Sequence, residues 1–211
     1  PYYSDVEQQK VDDLSEKETF FHWELEFPHI FYDDRAEKKS NPGFDVVIGN
    51  PPWVFTRGKN LTSQEKEYFS EYIKKLNIIQ TKKGRNIQSG KLNLYSLFIL
   101  RINILKNSGV YGIIIPNNIL RATTYDLVRK FILDSFCMKK IIDLGAGVFE
   151  GVSASSIIIN FQKENDKQIR DKNQITIIHN VKNLGTENYQ SHQSNQKLFY
   201  DPPSHVFNIL L

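Results

Sequence analysis

Apolar residues in this chain fall into short blocks whose period changes along the sequence. Four of the five residues over 44–48 are apolar, and similar runs rich in β-branched side chains occupy 110–116, 140–144, 156–161 and 175–181. Runs of that length predict buried strands. Between them the period lengthens. Tyr68, Phe69, Tyr72, Ile73 and Leu76 predict a helix over 63–79. Ser63 is its candidate N-cap, without a capping box because Lys66 stands where Glu or Gln is needed. Leu94, Leu97, Phe98, Arg101, Ile104 and Leu105 predict a second helix over 93–107, ended by Asn107-Ser108-Gly109. Residues 123–136 read as a third amphipathic helix. Strands alternate with helices, so the expected class is α/β with a largely parallel sheet.

The remaining segments are less regular. Residues 20–31 are dense in aromatics, and alternation through Trp23, Leu25 and Phe27 predicts a short strand or extended segment. Residues 162–174 read as a charged turn. Residues 1–19 are polar and acidic, a linker or a helix end, and 182–211 read as a linker or the start of a further domain. That leaves 20–181 as the body. With 211 residues, 40% of them hydrophobic, one core-bearing domain is expected. The single Cys137 excludes an internal disulfide and suits a reducing cytoplasm. The five His residues have no partners at ligand spacing, so no metal site is expected. No apolar run approaches membrane-spanning length. The net charge of +3 permits a nucleic acid partner without demanding one. The chain opens on Pro1 and its one Met is at 138, so a piece of a longer protein is expected.

Candidate chemistry concentrates at 44–53, Phe-Asp-Val-Val-Ile-Gly-Asn-Pro-Pro-Trp, where an apolar strand ends on an Asn, two prolines and an aromatic. The residue before a proline is pushed out of the helical region, which holds Asn50 extended at the strand end. Pro51-Pro52 has fixed φ angles and no N–H, so the loop is stiff. Such a loop suits an amino group whose lone pair is delocalised into a ring. The Asn50 side-chain oxygen accepts one N–H and the Pro51 carbonyl the other, which favours the pyramidal nitrogen with a lone pair free to attack. Trp53 offers a π-face to a base. Asn-Pro-Pro alone also fits a plain turn, but the preceding strand places it where open α/β sheets bind ligands.

Five segments in order, FHWELEFP, FDVVIGNPPW, GKLNLYSLF, GVYGIIIPNNIL and LGAGVFEGVSASSIIINFQK, spread over residues 20–163. Together they resemble the gamma class of adenine-N6 DNA methyltransferases, especially those fused in Type II (IIG) restriction–modification enzymes. The resemblance implies an S-adenosylmethionine-dependent Rossmann-like fold, here partial: the C-terminal half of the sheet, with the first strands missing. It implies methyl transfer to N6 of an adenine flipped out of double-stranded DNA. Asn50 and Pro51 would accept from the amine, and Pro52 would shape the loop beside the methyl donor. Trp53, where the family more often has Tyr or Phe, would stack on the base, and Phe149 would pack on it from another side. Phe98 matches an apolar wall near the cofactor, although as a plain helix residue it reads equally as core.

The family's cofactor-binding Gly-rich loop and acidic ribose ligand normally precede the Asn-Pro-Pro loop and are not found in this chain. Asp143-Leu144-Gly145-Ala146-Gly147 mimics that loop, but a β-branched segment follows it where a helix should open. The chain alone is therefore expected to be inactive. The rest of the catalytic domain and a target-recognition domain are expected in the intact protein. Half a sheet would also expose an edge strand and invite self-association. The basic stretch 74–91, with Lys82, Lys83 and Arg85, reads equally as phosphate-contacting or as a solvated loop. Two rival functions remain at this stage. One is a glutamine or ribosomal RNA methyltransferase with the same loop, and the other a non-catalytic DNA-binding fragment.

Overall fold

The computed structural model describes residues 4, 6, 9–10, 12–13, 21–56, 58–59, 61–75, 81–82, 85–86, 92–151, 153–179, 181, 189–200 and 205–210. At 81–82, 85–86 and 102 only the backbone is described. Two compact units form, Pro1–Pro42 and Gly43–Leu211. No helix among the described residues is long and apolar enough to cross a membrane.

In the first unit, the segment expected to be extended forms two short helices, α1 (Trp23–Glu26) and α2 (Pro28–Phe31). The alternation at Trp23, Leu25 and Phe27 misleads because Trp23 and Phe27 are also one helical turn apart. Their rings stack with centroids 6.0 Å apart. Pro28 then opens α2 at its first turn, where its missing N–H costs nothing.

The second unit contains, in chain order, β1 (Phe44–Gly49), α3 (Ser63–Lys75), the two-residue strands β2 (Thr81–Lys82) and β3 (Arg85–Asn86), and α4 (Tyr95–Ile99). It continues with β4 (Leu105–Pro116), α5 (Asp126–Ser135), β5 (Phe136–Gly145), β6 (Ser156–Lys163), α6 (Lys167–Lys172), β7 (Gln174–His179) and β8 (Gln190–Asn195). The main sheet has the order β1-β4-β6-β5-β7-β8. It is an α/β sheet as expected, but mixed rather than largely parallel. Only β1–β4 and β5–β7 are parallel, and the other three pairings are antiparallel. The reason is local. Residues 146–155 join β5 to β6 without a crossover helix, so the two strands form a hairpin.

One face of the sheet makes the core. Tyr111, Ile113 and Ile115 of β4 alternate inward beside Ile157, Ile159 and Phe161 of β6, Ile141 of β5, and Ile175 and Ile177 of β7. They share one cluster with Tyr95, Leu97 and Ile99 of α4 and Val128, Ile132 and Leu133 of α5. Strand β1, expected to be buried, lies at the sheet edge. Only Val47 packs on the core, while Val46 and Ile48 are 59% and 80% exposed.

Three further expectations change. The second helix is confined to α4, and β4 starts at Leu105, well before Gly109. Phe44 pairs with Leu105 but Val46 with Val110, so residues 106–109 bulge out of the ladder. That bulge needs Gly43 and Gly109: a Cβ would meet the Lys106 nitrogen at 2.5 Å in the first case and the Phe44 carbonyl oxygen at 2.8 Å in the second. Helix α3 is capped one residue earlier than expected. Thr62 N donates to the Glu65 carboxylate at 2.7 Å, and Glu65 N donates to Thr62 Oγ1 at 3.2 Å. This is a capping box, and the Thr62 backbone bond holds the Glu65 carboxyl below its ordinary range. Within the expected charged turn 162–174, α6 forms because the Asp166 side chain accepts from Gln168 N at 2.7 Å.

Residues 190–210 contain more than a linker. Strand β8 joins the sheet, and the buried Gln196 that follows it completes the β5 ladder. Its Nε2 donates to the Phe136 carbonyl at 2.7 Å and its Oε1 accepts from Met138 N at 2.9 Å. Pairing of β5 with β7 starts only at Lys140, so this amide substitutes for the absent strand neighbour. The buried Arg129 of α5 donates to the carbonyls of Ile119, Ala122 and His205, and Phe207 stacks on Phe199 at 5.1 Å.

Gln196→Leu strands the Phe136 carbonyl and the Met138 N–H in the interior. It is expected to cost about 1–3 kcal/mol in urea unfolding, and an unchanged midpoint would contradict this role. The open β1 edge is expected to make the isolated chain self-associate, and Ile48→Lys to shift it toward monomer by size-exclusion chromatography. A monomeric parent chain would defeat this second prediction.

Candidate active site

The strand directions bring three loops to one edge of the sheet. Strands β1 and β4 are parallel, so Asn50 and Asn117 leave it from the same side. Strand β6 runs against both neighbours, with Ser156 opposite Pro116 on β4 and opposite Gly145 on β5. The hairpin loop 146–155 therefore returns to the edge from which Asn50 departs.

The 50–56 loop is anchored by backbone pairing. Leu94 N donates to the Val54 carbonyl at 2.7 Å, Thr56 N donates to the Leu92 carbonyl at 2.8 Å, and Phe55 bridges Asn93. Thr56 and Asn93 are buried at this junction. The loop is thus fixed directly to the start of α4. Along it, Asn50 and Pro52 are exposed, Pro51 is buried and Trp53 is half-buried. Asn50 thereby presents its amide to solvent at the strand end while Pro51 seats the loop in the body.

Trp53 and Phe149, distant in sequence, meet in an edge-to-face contact with centroids 5.3 Å apart and planes at 83°. The Trp53 indole N–H is buried and has no hydrogen-bond partner among the described residues. Phe98 is 46% exposed, while Tyr95, Ser96, Leu97 and Ile99 of the same short helix are buried. The core reading of Phe98 is therefore overturned. Lys83 and the side chains of Lys82 and Arg85 lie outside the described residues.

The Gly145–Gly147 segment is a hairpin loop. The Asp143 carboxylate accepts from Gly145 N at 3.0 Å, and Gly145 and Gly147 take φ of +69° and +81°. Strand β6 follows rather than a helix, so there is no helix N-terminus here to receive an anionic cofactor group.

One support of the site was not singled out in the sequence. Tyr95 of α4 donates its hydroxyl to Asn118 Oδ1 at 2.9 Å and stacks on Tyr125 at 5.5 Å. Burial pushes the Tyr95 phenol well above its ordinary pKa, which keeps it a neutral donor. The bond ties the helix behind the Asn-Pro-Pro-Trp loop to the turn that follows β4. Both residues stand in segments quoted above, Asn-Leu-Tyr and Pro-Asn-Asn, but nothing in their spacing announces a mutual bond.

A model of the Eco57I restriction-modification methylase family matches residues 1–149. The chain belongs to this family. The match includes the Asn-Pro-Pro-Trp loop and ends on Phe149, whereas β6 to β8 continue the same folded unit beyond it. The type II restriction enzyme and methyltransferase Eco57I of Escherichia coli is 30% identical over 128 residues, covering 60% of this chain and 12% of that protein. A Methanocaldococcus jannaschii protein described as a type II restriction enzyme and methyltransferase is 30% identical over 147 residues, covering 70% of this chain and 10% of its own length. The chain thus spans about a tenth of the curated relatives it matches. Among solved structures, the type IIG restriction endonuclease BpuSI aligns over 73% of this chain and 19% of that one, at 17% identity and a TM-score of 0.49. The Type ISP enzyme LlaGI aligns over 66% and 12%, at 19% identity and the same TM-score of 0.49.

A Trp53→Leu, Phe149→Leu double-mutant cycle in the chain is expected to show a coupling of about 0.5–1.5 kcal/mol, the worth of an aromatic pair beyond its buried area. Additive effects in denaturant unfolding would mean that the two rings do not touch in solution.

Proposed function

We propose that this chain forms the base-pocket part of a DNA methyltransferase of a restriction–modification system, which transfers a methyl group from S-adenosylmethionine to N6 of an adenine extruded from double-stranded DNA. The convergence of Trp53 and Phe149 beside the Asn50–Pro51 loop carries the reading. Two aromatic rings from separate segments, next to an exposed Asn amide and a stiff carbonyl, make a site for a flat base with an amino group. Family membership, and relatives described as restriction enzymes and methyltransferases, support the same reaction class.

In this reading Asn50 Oδ1 and the Pro51 carbonyl accept the two N6 protons. That pairing draws the nitrogen toward a pyramidal geometry and aims its lone pair away from the ring. The methyl donor supplies an electrophilic methyl group. Pro52 and Phe98, both exposed, suit an apolar wall beside it, while a Gly-rich cradle is not among the segments of this chain. No strong general base is required, because the N6 proton becomes acidic once the nitrogen is methylated. The contribution of this chain is orientation together with fixed dipoles at the amine. DNA affinity would come chiefly from phosphate contacts elsewhere in the intact protein, including a target-recognition domain.

In the intact protein, Asn50→Ala is expected to reduce methyl transfer by about two to three orders of magnitude, the usual effect of deleting one preorganised polar group. DNA affinity by fluorescence anisotropy should change little. Near-normal incorporation of labelled methyl groups into DNA would reject the assignment.

A further inference from the structure

We infer that Tyr95 and Asn118 are a positioning pair for methyl transfer, which holds the loop carrying Asn50 and Trp53 in register with the loop carrying Phe149. The inference rests on the base-pocket reading above and deepens it, because it assigns the alignment of the two loops to a side-chain bond behind them.

The observations form a line of hydrogen bonds from loop to loop. The Asn50–Trp53 loop is joined to the start of α4 where Leu94 N donates to the Val54 carbonyl at 2.7 Å. The next residue, Tyr95, donates its hydroxyl to Asn118 Oδ1 at 2.9 Å, across 23 positions of sequence. Asn118 follows Asn117 in the turn after β4, and Asn117 N donates to the Ser155 carbonyl at 2.9 Å. Ser155 ends the loop between β5 and β6, on which Phe149 stands. Phe149 in turn meets Trp53 with centroids 5.3 Å apart, which closes the circuit. The first and last of these bonds join backbone atoms, and any residue with an N–H can make them. The middle bond needs a hydroxyl at 95 and an acceptor at 118, so it is the link that residue type decides.

Helix α4 needs such a tie. It has five residues, and its N-cap Leu94 makes no side-chain hydrogen bond. A helix this short is not held by its own ladder. Tyr95, Ser96, Leu97 and Ile99 seat it in the core, but apolar packing is non-directional, whereas a hydrogen bond favours one distance and angle. Tyr95 is fully buried and stacks on Tyr125 at 5.5 Å, which fixes the ring and aims the hydroxyl. Burial also raises the phenol pKa well above its ordinary value, so the group stays a donor at neutral pH. Phe98, three positions on and exposed, rides on the same helix. The bond therefore also sets the face assigned above to the methyl donor.

The pair acts through the loops and takes no part in bond making. Its loss leaves Asn50, Pro51 and Trp53 in place but less well aligned, and a misplacement of about 1 Å lowers a rate by about a hundredfold.

The test uses the intact protein, with its recognition site mapped by sequencing N6-methyladenine in cells that express it. Tyr95→Phe keeps the ring and its stacking and removes only the hydroxyl. The freed Asn118 side chain is exposed and turns to water, so the fold is kept. At saturating S-adenosylmethionine and DNA, the single-turnover rate of methyl transfer should fall by roughly one to two orders of magnitude. KM for each substrate should stay within about twofold. Asn118→Leu, which removes the acceptor, should give a similar fall, and the double variant should be no slower than either single. Asn118→Asp keeps an acceptor oxygen and should restore most of the rate. A Tyr95→Phe protein with the parent's rate overturns the positioning role. So do additive losses in the double variant, or a loss confined to KM or to the folded fraction by circular dichroism, either of which makes the pair structural only. If the parent protein places no methyl group on adenine N6, or Asn50→Ala methylates as the parent does, the base-pocket reading itself falls and takes this inference with it.

Discussion

Strand β6 is hydrogen-bonded on both sides to strands that run against it, with Ser156 opposite Pro116 on one side and Gly145 on the other. That pairing sets the geometry of the edge that carries the candidate site. In an all-parallel sheet the chain after β5 would leave through a crossover on one face. Here the hairpin turns back at the edge itself and delivers Phe149 to Trp53. The same pairing places β6 in the middle of the sheet, where Ile157, Ile159 and Phe161 are fully buried. A one-residue slip would turn these three outward and also displace Phe149. The stability of the core and the registration of the site are therefore the same constraint.

Buried polar groups then fix what hydrophobic packing leaves loose. Gln196 supplies the ladder partner that β5 lacks before Lys140, and Asn173 joins it by donating to the Met138 carbonyl and to the Gln196 Oε1. Arg129 gathers three carbonyls from separate segments around one guanidinium. Burial lowers its pKa from the ordinary value, with the Asp126 carboxylate acting in opposition. Such networks specify one arrangement because each member is costly to leave unmatched. Together with Phe199, Phe207 and Ile209, which are buried in the core, they tie the C-terminal stretch to the folded unit.

The strands over 110–116, 140–144, 156–161 and 175–181 and the helix after Thr123 were legible because their apolar residues repeat at a single period. The errors arose where two periods coincide or where pairing decides. Trp23 and Phe27 satisfy both alternation and a helical turn, and Pro28 resolves the tie in favour of helix. Leu105 continues a helical pattern from α4, yet the close approach of Gly43 and Gly109 commits it to β4. Residues 190–195 carry almost no hydrophobic signal and become a strand only because β7 offers an open edge.

The sequence by itself determined the chemistry on offer. Asn50, Pro51, Pro52 and Trp53 at the end of an apolar strand set out two acceptors, a rigid loop and a π-face, all of them consequences of residue type and local backbone restriction. It also showed that Asp143–Gly147 does not open a helix, since β-branched residues follow it. Only the tertiary structure decided that Trp53 and Phe149 touch, that Phe98 faces outward, and that Tyr95 braces Asn118 behind the loop. Those facts depend on strand order and direction. Strand order is set by long-range hydrogen bonding between segments far apart in sequence, and no local pattern encodes it.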